Sequence, residues 1–154
     1  MPLAEVGFCY PGIPEDKRAG LLFTVGPTVH VTVGHLDTKD AANPVLAKDK
    51  ASESVPALVD TGAYESCIDD ALAIKLGLPI VDRQKCAGAN GESTHDVYLA
   101  YVHIPTLDYA QYGRFMGVHL LAGGQPHQVL LGRTLLQTMM LIYDGVHGTA
   151  TIAR

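Results

Sequence analysis

Apolar positions along this chain come in short runs separated by glycine and proline, a rhythm that predicts many strands and few helices. An apolar run, Leu21–Val25, leads through Gly26-Pro27 into Thr28–Val33. There Val29, Val31 and Val33 alternate with Thr28, His30 and Thr32, the period of a half-buried strand. Asp37 to Glu53 is polar, contains Asn43-Pro44 and Lys48-Asp49-Lys50, and reads as a long solvated loop. Val55–Val59 is a buried strand that stops abruptly at Asp60-Thr61-Gly62. Between Ile68 and Leu76 the period changes: Ile68, Leu72, Ala73 and Leu76 share one helical face. Lys75 in the last turn, Gly77 and Pro79 then stop the helix. A hairpin follows with its tip at Gly88-Ala89-Asn90-Gly91, and on the returning strand Val97, Leu99 and Tyr101 alternate with Tyr98 and Ala100. Pro105–Gly113 reads as a loop, Phe115–Leu121 as a strand, and Val129–Leu131 as a buried run ending at Gly132. After Arg133, helical spacing returns at Leu135, Leu136, Met139 and Met140. Leu141–Tyr143, Asp144-Gly145 and Val146–Ile152 form a terminal hairpin. The pattern predicts a mainly β domain with one or two short helices and no internal repeat.

Composition narrows the function classes. At 154 residues and 47% apolar content the chain holds one domain's core and is not a disordered polar segment. A formal charge of −5 has the wrong sign for nucleic acid, and no stretch reaches the roughly 20 apolar residues of a membrane helix. No signal-peptide pattern opens the sequence. Cys9, Cys67 and Cys86 are an odd number at wide spacing, which fits reduced thiols in the cytoplasm and not a disulfide framework or zinc site. The seven histidines show no ligand spacing; His30 and His35 fall on opposite strand faces, and no metal or other cofactor is expected. Cys67 and Cys86 read as buried small hydrophobes, Met139 and Met140 as core, and Asp69-Asp70 as complements to a helix N-terminus.

The candidate chemistry lies in Ala57-Leu58-Val59-Asp60-Thr61-Gly62-Ala63. A carboxylate where a buried strand breaks into a turn is held at the mouth of a core, and Gly62 lets the backbone turn without a Cβ clash. The tripeptide alone recurs in on the order of a few per cent of chains this long, and a plain turn-forming Asp fits it as well. Two further segments lie downstream: the glycine-bearing hairpin tip Gly88 to Gly91, and Val129-Leu130-Leu131-Gly132-Arg133 followed by Leu135-Leu136.

In this order, the three segments resemble the retroviral-type, retropepsin-like aspartic proteases, and the chain looks more similar to bacterial than to viral members. The resemblance implies a closed, barrel-like β fold, homodimeric, with residues 20–154 as the protease domain and 1–19 as an N-terminal extension. Lys17-Arg18 and the position ahead of the first strand suggest that Met1–Gly20 is a removable prosegment. It implies an aspartic endopeptidase acting on a polypeptide, with Asp60 as the catalytic acid/base. The sequence has a single Asp-Thr-Gly and no room for two fused lobes, so the second carboxylate must come from a second copy across a two-fold axis. Two such carboxylates share one proton, because like charges about 3 Å apart cannot both ionise cheaply. By the same resemblance Thr61, Gly62 and Ala63 support the catalytic turn, the threonine hydroxyl reaching across the dimer axis. Gly88, Ala89, Asn90 and Gly91 form the flap over an extended peptide. Gly132 permits close passage beneath the turn, and Arg133 is the structural arginine. The departures are Tyr64 where the family commonly carries an acid, which leaves Glu65 or Asp144 to partner Arg133, and a more polar flap tip. They motivate the other reading, an inactive dimerisation or peptide-binding module of the same fold.

Overall fold

The computed structural model describes residues 1–8, 11–37, 45–88 and 91–154. The chain opens with strand β1 (Leu3–Glu5) and helix α1 (Glu15–Thr24). There follow β2 (Thr28–Asp37), β3 (Val45–Ala51), β4 (Val55–Val59), β5 (Cys67–Asp69) and helix α2 (Asp70–Leu76). Next come β6 (Ile80–Gly88), β7 (Gly91–Ile104), a 3-10 turn at Pro105–Leu107, β8 (Tyr109–Val118) and β9 (Val129–Leu131). Helix α3 (Arg133–Leu136), β10 (Met140–Asp144) and β11 (Thr149–Ala153) complete it.

The larger sheet runs β3-β2-β4-β9-β5-β8-β7-β6, and β2 also pairs with β7. That extra pairing closes β2, β4, β9, β5, β8 and β7 into a ring, with β3 and β6 attached outside it. The expected mainly β, barrel-like fold is the fold observed. Inside lie the valines predicted for β2, with Val31 and Val33 fully buried, together with Ala57, Ile68, Val129, Leu131 and Phe115. On β7 the row facing the core is Tyr98, Ala100, Val102 and Ile104, while Leu99 and Tyr101 are half-exposed. Both rows are apolar, so alternation alone does not choose between them. A second sheet, β1-β11-β10, joins the first and last strands: Leu3 pairs with Ala153, and Ala4 and Ile152 are buried.

Several boundaries differ from those the sequence predicts. The Leu21–Val25 run is not extended; residues 21–24 close α1, and only Leu22 is buried there. Val45–Ala51, expected within a solvated loop, is a strand paired to β2 through Gly34↔Ala51 and Asp37↔Val45. Its charges face solvent on the sheet's edge, where lysines are tolerated and block further pairing. Residues 38–44 of that expected loop, the flap residues Ala89 and Asn90, and Cys9 lie outside the described residues. The Pro105–Gly113 loop is shorter than expected: Asp108 takes a left-handed φ of 47°, reverses the chain, and β8 starts at Tyr109. The strand expected to reach Leu121 ends at Val118. α3 is a single turn, and Met140 begins β10 instead of extending the helix.

α2 starts two residues after Ile68, because Cys67–Asp69 pairs with both β8 and β9. Its predicted end is observed. Gly77 has φ 63°, its N–H donates to the Ile74 carbonyl, and the Leu78 N–H donates to that of Ala73, a Schellman closure. Asp69 does not cap the helix; its buried Oδ1 accepts the Leu120 and Leu121 N–H groups at 2.9 and 3.1 Å and ties down the turn after β8. Asp70 does lie in the first turn of α2, where its charge suits the helix dipole.

Candidate active site

The site begins with strand order. β9 lies between β4 and β5, parallel to the first (Val59↔Leu131) and antiparallel to the second (Cys67↔Leu130). The chain leaving β4 must therefore cross the end of β9 to reach β5, and Asp60 to Ser66 make that crossing. The Asp60 N–H donates to the Leu131 carbonyl at 3.0 Å, anchoring the first residue of the turn to the last residue of β9. Asp60 Oδ1 accepts the N–H groups of Gly62 (2.8 Å) and Ala63 (3.2 Å), which fixes the carboxylate against its own turn. Oδ2 has no protein partner among the described residues, and the side chain is half-buried. Thr61 and Gly62 are exposed beside it.

Gly132 sits where a Cβ would meet the Glu65 carbonyl oxygen at 2.5 Å and its carbon at 2.6 Å. Only glycine allows β9 to pass so close beneath the turn. The Gly132 N–H donates to the buried Ser66 hydroxyl at 3.0 Å. The Arg133 and Thr134 N–H groups donate to the Ala63 and Tyr64 carbonyls at 2.9 and 3.1 Å. The Thr134 hydroxyl accepts the Ser66 N–H at 3.3 Å. Ser66 and Thr134 are thus supporting residues missed in the sequence; their only signal was a hydroxyl next to each of two motifs.

Arg133 differs from expectation. Among the described residues it has no carboxylate partner: Asp144 pairs with His147 at 2.7 Å, and Glu65 is not within ion-pair distance. Its Nη1 instead donates to the carbonyls of Thr61 (2.7 Å) and Gly62 (3.1 Å), and its guanidinium lies 6.0 Å from the Tyr64 ring. With Tyr64 in place of an acid, the guanidinium turns onto the Asp60 turn itself and clasps it from outside. Behind the turn, burial and the Asp60 and Glu65 charges push the Cys67 thiol up to about 12, so this cysteine stays protonated.

The hairpin expected as the flap is β6–β7, which pairs continuously from Asp82↔Val97 to Gly88↔Gly91. Gly91 has φ 108°, a conformation that requires glycine at the tip. Cys86 on β6 contacts Met116 of β8, Sγ to Sδ 3.2 Å. Two histidines tie the scaffold together: His35 bonds the Leu76 carbonyl and buried His127 the Thr28 hydroxyl. Among the described residues no three His, Cys, Asp or Glu side chains converge on a metal position.

Comparison with known proteins follows from this geometry. A family model described as gag-polyprotein putative aspartyl protease matches residues 49–138, which include the Asp60 turn, the hairpin, Gly132 and Arg133. No curated protein matches. Among solved structures, the chain is similar to the EIAV protease in complex with an inhibitor (16% identity, TM-score 0.47, covering 73% of this chain and 86% of that one). It is also similar to the simian foamy virus (mac) protease (13% identity, TM-score 0.42, 70% and 91% covered). A third is the retroviral protease-like domain of Ddi1 from Leishmania major (14% identity, TM-score 0.41, 76% and 81% covered).

Proposed function

The chain belongs to the gag-polyprotein putative aspartyl protease family, and we propose that it is an aspartic endopeptidase working as a homodimer. The observation that carries this reading is the Asp60 carboxylate, oriented by two backbone N–H groups through one oxygen while the other is open at a half-buried surface. A lone carboxylate so placed lacks its counterpart. Peptide hydrolysis of this type needs two, one ionised to take a proton from water and one protonated to polarise the scissile carbonyl. Across a two-fold axis, Asp60 of a second copy supplies the other group. The pair shares one proton, the water lies between them, and each turn is kept in place by its own Gly132 strand and Arg133 clasp. The β6–β7 hairpin closes over an extended peptide, which adds as a strand and excludes bulk water. The odd number and wide spacing of the cysteines favour action in the cytoplasm.

The test is digestion of a mixed peptide library between pH 3 and 7, with solution mass measured alongside. The expected result is cleavage at acid to mildly acid pH, blocked by a statine-type mimic and abolished in Asp60→Asn with the dimer intact. Normal cleavage by Asp60→Asn overturns the assignment; binding without hydrolysis favours the inactive module.

A further inference from the structure

Resting on that reading of the site, we infer that the cleft beneath the hairpin selects a basic side chain, lysine or arginine, through Glu65. Glu65 directly follows the catalytic turn and is half-buried, and the Cys67 sulfur lies within electrostatic reach of both the Asp60 and Glu65 carboxylates. The β6 arm of the hairpin comes down onto it. The Gln84 carboxamide has one orientation that satisfies both of its neighbours. In it the NH2 donates to Glu65 Oε2 at 3.3 Å, and its oxygen accepts from Arg114 Nη2 at 2.9 Å.

Arg114 is engaged by Asp82 at 2.7 Å, and Arg83 by Asp96 at 2.8 Å. The neutral Gln84 amide separates Arg114 from Glu65. Among the described residues no cation lies within ion-pair distance of Glu65. Cross-strand partners share a face of a hairpin, so Gln84 with His95, and Cys86 with Ser93, line the same side. That side is polar. His95 Nδ1 donates to the Gly117 carbonyl at 2.9 Å, and its Nε2 is hydrogen-bonded to the Ser93 hydroxyl at 2.6 Å. These side chains satisfy one another, so what the hairpin leaves unmatched beside the Asp60 turn is the Glu65 carboxylate, with no cation partner among the described residues. An aliphatic side chain placed there would desolvate Glu65 without a counter-charge, whereas an ammonium or guanidinium supplies it.

The experiment measures calorimetric binding of statine-centred peptides to the full-length protein. A single lysine is scanned through the three positions on either side of the statine, each peptide having a norleucine counterpart of similar length. At one or more positions lysine should bind about tenfold tighter than norleucine, the lower end for close charge pairs at interfaces. The advantage should shrink with added salt, persist in part in Glu65→Asp and vanish in Glu65→Gln, a variant that preserves a partner for Gln84. No lysine preference at any position, a preference kept by Glu65→Gln, or no binding of any peptide overturns the inference. Cleavage without lysine preference would leave the proposed activity standing and remove this subsite. Lysine-selective binding without turnover would do the reverse.

Discussion

Replacing Gly132 by alanine tests whether the close passage of β9 beneath the Asp60 turn is required. The added methyl would sit 2.5 Å from the Glu65 carbonyl oxygen, 2.6 Å from its carbon and 3.0 Å from the Ser66 nitrogen. All three are backbone atoms, so no flexible side-chain end can swing aside. Reaching even 3.0 Å from the oxygen requires a retreat of about half an ångström. That movement acts on the Ser66 hydroxyl bond to the Gly132 N–H and on the Arg133 and Thr134 bonds to the turn. Overpacking of a tight site costs about 1–3 kcal/mol, and the strained hydrogen bonds place this variant in the upper half of that range. For a domain of this size that lowers Tm by roughly 5–10 °C. Gly113→Ala is the matched control. It lies in a strand, nothing is within 4 Å of its added methyl, and the lost backbone entropy of glycine makes the change neutral to slightly stabilising. Thermal unfolding followed by circular dichroism compares the two. A Gly132→Ala variant melting within about 1 °C of wild type would refute the close-passage argument.

Arg133→Met removes the single Nη1 that donates to both the Thr61 and Gly62 carbonyls; under the proposed peptidase activity kcat should fall about tenfold with KM little changed, read from initial rates, while Tm moves by only a few degrees. His127 is buried and desolvation lowers its pKa, so as pH falls through the ordinary histidine range the unfolded chain takes up a proton that the folded chain resists. Stability should therefore drop on acidification from neutral pH, and His127→Gln should flatten the profile of Tm between pH 7 and 5; an unchanged slope would contradict this. The Cys67 thiol, pushed up to about 12, should resist iodoacetamide at pH 8 in the native state and react once the protein is unfolded, as mass spectrometry of the labelled peptide would show.

What was legible in the sequence follows from how local each signal is. The end of α2 was readable because Lys75, Gly77 and Pro79 act through adjacent backbone, and the structure shows the left-handed Gly77. The run into Asp60 was readable because a buried parallel neighbour makes the whole strand apolar. β3 was not, since an edge strand carrying lysines has the composition of a loop. α1 was hidden because its apolar residues bunch in its last turn and only Leu22 reaches the core. The partner of Arg133 was out of reach for another reason. Sequence comparison suggests a carboxylate, whereas main-chain carbonyls, which every residue carries, leave no mark in the residue pattern.

The insertion of β9 between β4 and β5 also dictates when the site can exist. Asp60 leaves β4 with only its own Gly62 and Ala63 N–H bonds to shape the turn until Leu131 and Gly132, some seventy positions later, slot into the gap. During synthesis the aspartate emerges long before the strand that organises it, and such distant pairing is slow to form. The nascent polypeptide thus carries its acid without any assembled machinery, and competence arrives only after most of the barrel has closed around a late-threaded staple.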